Sequence, residues 1–208
     1  FAPPYIEGDA ERELGMPLRL TSDTQVRTVR KSVDENYTQI IDDLKGAAKL
    51  LPPMPMFKTD ASKAGAFALL ARCCLAMRDY KNALLFADSC LQLHPALLDY
   101  NQLNPADNIP FEPFNEEVIH HGTSRLSSAL TYVTYGQVDS ALYRLYHTND
   151  LRLQLFFQHN RDGSIGFRGH YTGTAEPFGG LAADEIWLIR AECLARAGES
   201  DAALDDLA

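Results

Sequence analysis

Two short runs carry the side chains best suited to chemistry: Tyr132-Val133-Thr134-Tyr135 and Phe167-Arg168-Gly169-His170-Tyr171. Both put aromatic rings beside polar groups. A sugar ring offers a face of C–H groups and a rim of hydroxyls. A flat aromatic side chain flanked by amide, carboxylate or guanidinium groups suits both. In an extended segment, alternation places Phe167, Gly169 and Tyr171 on one face. The first run sits beside Gln137 in a polar, loop-like stretch. The candidate ligand-binding residues are therefore Tyr132, Tyr135, Phe167 and Tyr171, and the chemistry is non-covalent capture.

Signals for catalysis, cofactors and metals are missing. No phosphate-cradling glycine loop and no nucleophile elbow occurs. His120-His121 is the one histidine doublet, and neighbours on a strand point to opposite faces, which does not make a shared metal site. Asn160–Ser164 lacks the acidic ligands of a calcium loop and reads as a turn. A glycosidase needs two carboxylates about 5–10 Å apart, and none of the 28 acids is singled out by its setting. The reading is a non-enzyme without cofactor or metal. Asp150-Leu151-Arg152 sets an acid and a base two apart, an arrangement that locks a chain corner rather than binds a ligand.

Global charge limits the partners. The 208 residues carry 28 acidic against 19 basic side chains, a formal net charge of -9. That speaks against nucleic acid, which needs a basic face, and against docking on anionic lipid. At 46% hydrophobic the chain can bury a sizeable core. No apolar run reaches the length of a membrane-spanning helix. The chain opens without Met and closes inside an apparent helix, so it is expected to be a fragment. Cys73, Cys74, Cys90 and Cys193 lack zinc-ligand spacing. They read as small buried side chains, with a Cys74–Cys90 bridge left open if the compartment is oxidising.

The elements that position the rings are mostly helices. Ser32 and Glu35 make a capping-box start for a helix from about Val33 to Leu51, ended by Pro52-Pro53. A second helix is expected over about Ala61–Met77 and a third over Tyr80–Leu93. Phe67, Leu70, Ala71 and Cys74, then Ala83, Ala87, Cys90 and Pro95, fit the 34-residue tetratricopeptide pattern, whose small residues let paired helices approach closely. Ile40, Leu44, Ala47 and Pro52 match part of a unit. So do Trp187, Ala191, Leu194, Gly198, Ala203 and Leu207, with Trp187 at a core position.

Residues 1–31 read as irregular. The 85 residues from 96 to 180 do not follow the repeat, yet hold 12 of the 20 aromatics. Insertions of that length usually serve a function. Strands are expected at Glu117–His121, Leu153–Phe157 and Ile165–Tyr171. A helix is expected over Gln137–Tyr146, with Val138, Leu142 and Leu145 inward. The fold class is mainly α: tetratricopeptide-like helical hairpins framing an irregular insertion with a few short strands. It is expected as a single domain with repeat parts at 33–53, 61–95 and 184–208 and the insertion at 96–180.

In order along the chain stand Gly15-Met16-Pro17-Leu18, Ser32-Val33-Asp34-Glu35-Asn36-Tyr37, Ser62-Lys63-Ala64 through Asp79-Tyr80-Lys81-Asn82-Ala83, Asn115-Glu116-Glu117-Val118-Ile119, Asn149-Asp150-Leu151-Arg152 and Asp184-Glu185-Ile186-Trp187 through Gly198. This ordered set resembles the SusD/RagB family of outer-membrane lipoproteins. The resemblance implies a SusD-like subunit, surface-exposed at the cell outer membrane. It would capture oligosaccharide, or sometimes peptide, and cover a SusC-like TonB-dependent transporter. It also implies tethering through a lipidated N-terminal cysteine; all four cysteines here fall inside expected helices, so the anchor is expected outside this chain. The family has no invariant ligand-contact motif, so the four site residues rest on the aromatic argument alone. The rival reading is a tetratricopeptide-type scaffold for a protein or peptide.

Overall fold

The computed structural model describes residues 2–124 and 136–207. Among these are seven α-helices and three two-stranded antiparallel sheets. The chain divides into two compact units. One comprises Phe1–Pro55, Ala61–His94 and Asp184–Ala208; the other comprises Met56–Asp60 and Pro95–Ala183. No helix among the described residues is long and apolar enough to cross a membrane.

In the first unit, β1 (Leu14–Pro17) pairs with β2 (Arg30–Ser32), and β2 runs directly into α1 (Val33–Leu50). This corrects the expectation that residues 1–31 are wholly irregular. The pairing depends on a side chain distant in sequence. Asn36, buried on α1, donates to the Met16 carbonyl at 3.1 Å and accepts from the Met16 amide. The amide group thus acts as one residue of a sheet partner. Gly15 makes the approach possible, because a Cβ there would collide with Asn36.

The start of α1 follows its sequence signature. Ser32 Oγ accepts from the Glu35 amide at 3.1 Å, and the Glu35 carboxylate accepts from the Ser32 amide at 2.9 Å. Such a box contributes about 1 kcal/mol. The Lys31 ammonium beside it holds the Glu35 carboxyl below its usual range.

Small side chains set the next pair. In α2 (Lys63–Ala76), Ala64, Ala68 and Ala71 are fully buried; in α3 (Tyr80–Leu91), so are Ala83 and Ala87. Leu70, Cys74 and Cys90 fill the remaining space, and Phe67 stacks on Phe86 with ring centroids 6.4 Å apart. The turn between the helices uses Arg78 at φ 61°. The Asp79 amide donates back to the Cys74 carbonyl at 2.9 Å, while the Asp79 side chain caps α3. The second hairpin repeats this device. Gly198 has φ 88° between α6 (Ala183–Ala197) and α7 (Ser200–Asp205), and the Glu199 amide donates to the Leu194 carbonyl at 3.0 Å.

All four thiols are free, so Cys74 and Cys90 are not bridged. Burial pushes the Cys74 thiol to about 11 and the Cys90 thiol to about 12. Because the thiolate is the nucleophile, iodoacetamide at pH 8 should label the folded protein slowly. Half-buried Cys73 should react first and Cys90 only on unfolding, read by mass spectrometry. Equal labelling of Cys73 and Cys90 below the unfolding midpoint would contradict this packing.

Polar side chains tie α6 to its neighbours. Arg72 Nε of α2 donates to Glu185 at 2.6 Å, with a second contact completing a bidentate pair. Arg190 grips Asp206 at 2.7 and 2.8 Å, lies 3.6 Å from Asp88 of α3, and covers the Trp187 ring at 4.7 Å. Trp187 is half-buried, which corrects its expected core position. Ala183, Ile186, Ile189 and Cys193 form the buried stripe, and Trp187 flanks it under the Arg190 guanidinium.

The second unit is held by rings. Phe111, Val118, Leu155, Tyr171 and Ala182 form its core, with Tyr100, Leu103, Phe156 and Phe178 packed around them. Phe111 lies 5.1 Å from Tyr171, 5.4 Å from Phe156 and 5.7 Å from Tyr100, centroid to centroid. Strand β3 (Val118–His120) pairs with β6 (Leu181–Ala182), shorter than the strand expected at 117–121.

Three expectations in the insertion are corrected. Residues 153–157 are not one strand: α5 (Arg152–Leu155) precedes β4 (Phe157–His159). The Asp150 carboxylate accepts from the Arg152 amide at 2.9 Å and grips its guanidinium, which also holds Asp150 below the usual carboxylate range. The corner is locked as expected, but it opens a helical turn. The expected helix 137–146 contracts to α4 (Ser140–Tyr143). Leu142 and Leu145 are 50% and 81% exposed, while Tyr143 and Tyr146 pack on Phe157. A single turn has no stripe to impose, so the larger rings take the interior. Finally, β5 ends at Phe167 rather than Tyr171.

Candidate functional site

Strands β4 and β5 (Ile165–Phe167) pair with Phe157 opposite Phe167 and Gln158 opposite Gly166. Beyond Phe167 the chain leaves the strand. Gly169 crosses so close to Phe156 and Phe167 that a Cβ would meet both rings at 2.8–3.0 Å. The alternation expected over 165–171 therefore fails. Phe167 turns to a surface cavity, while Tyr171 turns into the core.

Tyr171 is 6% exposed, packed at a tilt between Phe111 and Phe178, with its hydroxyl 3.0 Å from that of Tyr100. It offers no ring face to a ligand, and this corrects its placement beside Phe167. Tyr132 and Tyr135 lie outside the described residues.

The cavity has a volume of about 310 Å³, the lower end of the range for ligand pockets. Phe167, Ile109 and Ala175 give it apolar wall; Asn108, Gln158 and Thr174 give neutral polar groups; Arg168 and His170 complete the lining. Distant segments meet here through Arg168. Its guanidinium donates to the carbonyls of Asp107 and Pro105 at 2.8 Å each, and to that of Gln154. That ties the 105–109 wall to the strand pair. The wall of Thr174 and Ala175 is fixed by buried Thr172, which donates to the Glu176 carbonyl at 2.8 Å. His170 packs edge-on against Phe167 at 4.9 Å, and burial lowers its pKa, favouring the neutral ring. Nothing in the sequence brought Asn108, Ile109 or Gln158 to this site, because Arg168 side-chain bonds to distant carbonyls assemble it.

A second exposed ring was also not singled out. Phe114 has φ 58° and is 49% exposed, its ring 4.3 Å from that of His121. A bulky residue in this region costs about 1–3 kcal/mol and points to a functional or packing constraint. His121 is enclosed by Phe114 and Phe178, while His120 Nδ1 lies 3.3 Å from the Asp60 carbonyl. Among the described residues no group of three His, Cys, Asp or Glu is placed to hold a metal.

Known structures share this architecture. A SusD superfamily protein from Bacteroides vulgatus superposes with a TM-score of 0.78 at 22% identity, covering 100% of this chain and 52% of that one. A SusD-like carbohydrate binding protein from the same organism gives 0.74 at 19% identity, covering 99% and 49%. Surface glycan-binding protein A from Bacteroides uniformis gives 0.65 at 17% identity, covering 92% and 53%. The chain thus spans about half the length of the structures it matches. The fold is SusD-like. Residues 1–75 also match the SusD-like family described as starch-binding and associating with the outer membrane, and this is the family read from the ordered motifs. No curated protein matches the sequence.

Proposed function

We propose that this chain is a glycan-binding part of a SusD-like subunit, which captures oligosaccharide at the outer-membrane surface and hands it to a SusC-like TonB-dependent transporter. The observation that carries the reading is Phe167 in the wall of a 310 Å³ cavity among Asn108, Gln158 and Thr174. The ring supplies a platform for the sugar's C–H face, and the amides and hydroxyl meet its rim. Tyr132 and Tyr135 are further stacking rings in this reading, and Phe114 is a fourth. The likeness to a SusD-like carbohydrate binding protein and the family's starch-binding description support the class. No bond is made or broken here; capture is reversible, and the transporter does the work of import. Tethering by a lipidated N-terminal cysteine belongs to the same reading.

A glycan array followed by calorimetry tests it. Phe167→Ala should weaken binding of the best array ligand about three- to tenfold, the worth of an aromatic contact, with the near-ultraviolet circular dichroism of the folded chain retained. Binding that survives Phe167→Ala undiminished would move the site elsewhere. A chain that binds no glycan but holds a peptide would instead fit the rival reading, a tetratricopeptide-type scaffold.

A further inference from the structure

The cavity has an unusual charge for this protein. The chain bears 28 acidic side chains and a net charge of -9, yet the eight residues lining the cavity include no acid and one cation, Arg168. A guanidinium has five N–H donors. Arg168 spends three of them on the carbonyls of Asp107, Pro105 and Gln154. Its Nε is buried without a hydrogen-bond partner. Carbonyl oxygens satisfy donors but bring no net charge, and Arg168 forms no ion pair among the described residues. The Asp107 carboxylate lies near enough to favour the cation, but it accepts from the Asn104 amide group at 2.9 Å. The cation is thus half-buried, fixed in place and without a bonded counter-ion. Burial of a charge is costly until an opposite charge pairs with it.

Resting on the reading of this cavity as the sugar site, we infer that it takes an anionic sugar residue, with the carboxylate or sulfate ester set against Arg168 and the ring's apolar face on Phe167. Neutral sugar hydroxyls can accept from the guanidinium but bring it no negative charge. An acidic sugar adds the missing negative charge, and charge-assisted hydrogen bonds are about twice as strong as neutral ones.

Calorimetry on the full chain tests this with three probes. The first is tetragalacturonate. The second is the same oligomer with its carboxyls reduced to primary alcohols. The third is a sulfated galactan tetramer. One of the two anionic probes should bind about tenfold or more tighter than the reduced oligomer, a difference of about 1.4 kcal/mol. Whichever does so names the source of the charge. The preference should shrink as salt rises from about 0.05 to 0.5 M.

Arg168→Gln should abolish the preference, and Arg168→Lys should retain part of it. Because Arg168 also ties three carbonyls, Asn108→Asp provides a variant that leaves those bonds intact. The added carboxylate should remove the preference while the melting curve stays unchanged. If neither anionic probe binds tighter than the reduced oligomer while a glycan still binds, the anionic assignment is overturned and glycan capture stands. If none of the three probes binds and the array is also blank, both readings fail together.

Discussion

Phe111→Ala is expected to destabilise the second unit by about 3–5 kcal/mol, the usual cost of emptying a ring-sized site in a packed core. Phe111 is fully buried and touches Tyr100, Phe156 and Tyr171. None of these rings can close the gap without leaving its other contacts. Urea unfolding followed by near-ultraviolet circular dichroism, which reads the aromatic environment, would show the loss as a lowered midpoint. Tyr171→Phe sets the scale. It keeps the ring and removes only the hydroxyl shared with Tyr100, and should cost about 1 kcal/mol. A Phe111→Ala midpoint no lower than that of Tyr171→Phe would mean that Phe111 is not the centre of this core.

Gly180→Ala should cost more than about 3 kcal/mol, a large effect for one methyl group. A Cβ at Gly180 would overlap the His120 carbonyl oxygen and the edge of the Phe178 ring. The cost is steric, at the point where β3 and β6 shift register. Gly180 stands directly before β6, where the two backbones approach closely. The double variant Phe178→Ala/Gly180→Ala separates the two contacts. Removing the ring should recover little, because the carbonyl belongs to a paired strand and cannot retreat. Full recovery would place the constraint on Phe178 instead.

The helical unit was largely legible in its sequence, and for local reasons. Ser32 and Glu35 announce a helix start within four residues, and Pro52-Pro53 announce its end. Alanines at 64, 68, 71, 83 and 87 recur where two helices must touch, and the structure buries each of them. The insertion was legible in composition but not in detail. Alternation over 165–171 assumes that a strand continues. It stops because Gly169, having no side chain, lets the backbone pass over two rings. The Phe-rich run 153–157 reads as extended, yet a helical turn opens there beside the Asp150 carboxylate, which accepts from the Arg152 amide. Nor could local pattern reveal Phe114, whose backbone conformation is set by the surrounding fold. The site's walls come from residues near 108, 158, 168 and 174, joined by Arg168 bonds spanning up to 63 positions. Short-range periodicity contains nothing about such pairings.

Arg78 and Gly198 meet the same stereochemical demand with opposite residues. Glycine accepts a left-handed backbone freely, whereas arginine takes it at a cost of about 1 kcal/mol. The chain therefore tolerates an avoidable penalty in one of its two equivalent turns. The single substitution Arg78→Gly would relieve it, so this hairpin holds an unused margin of stability.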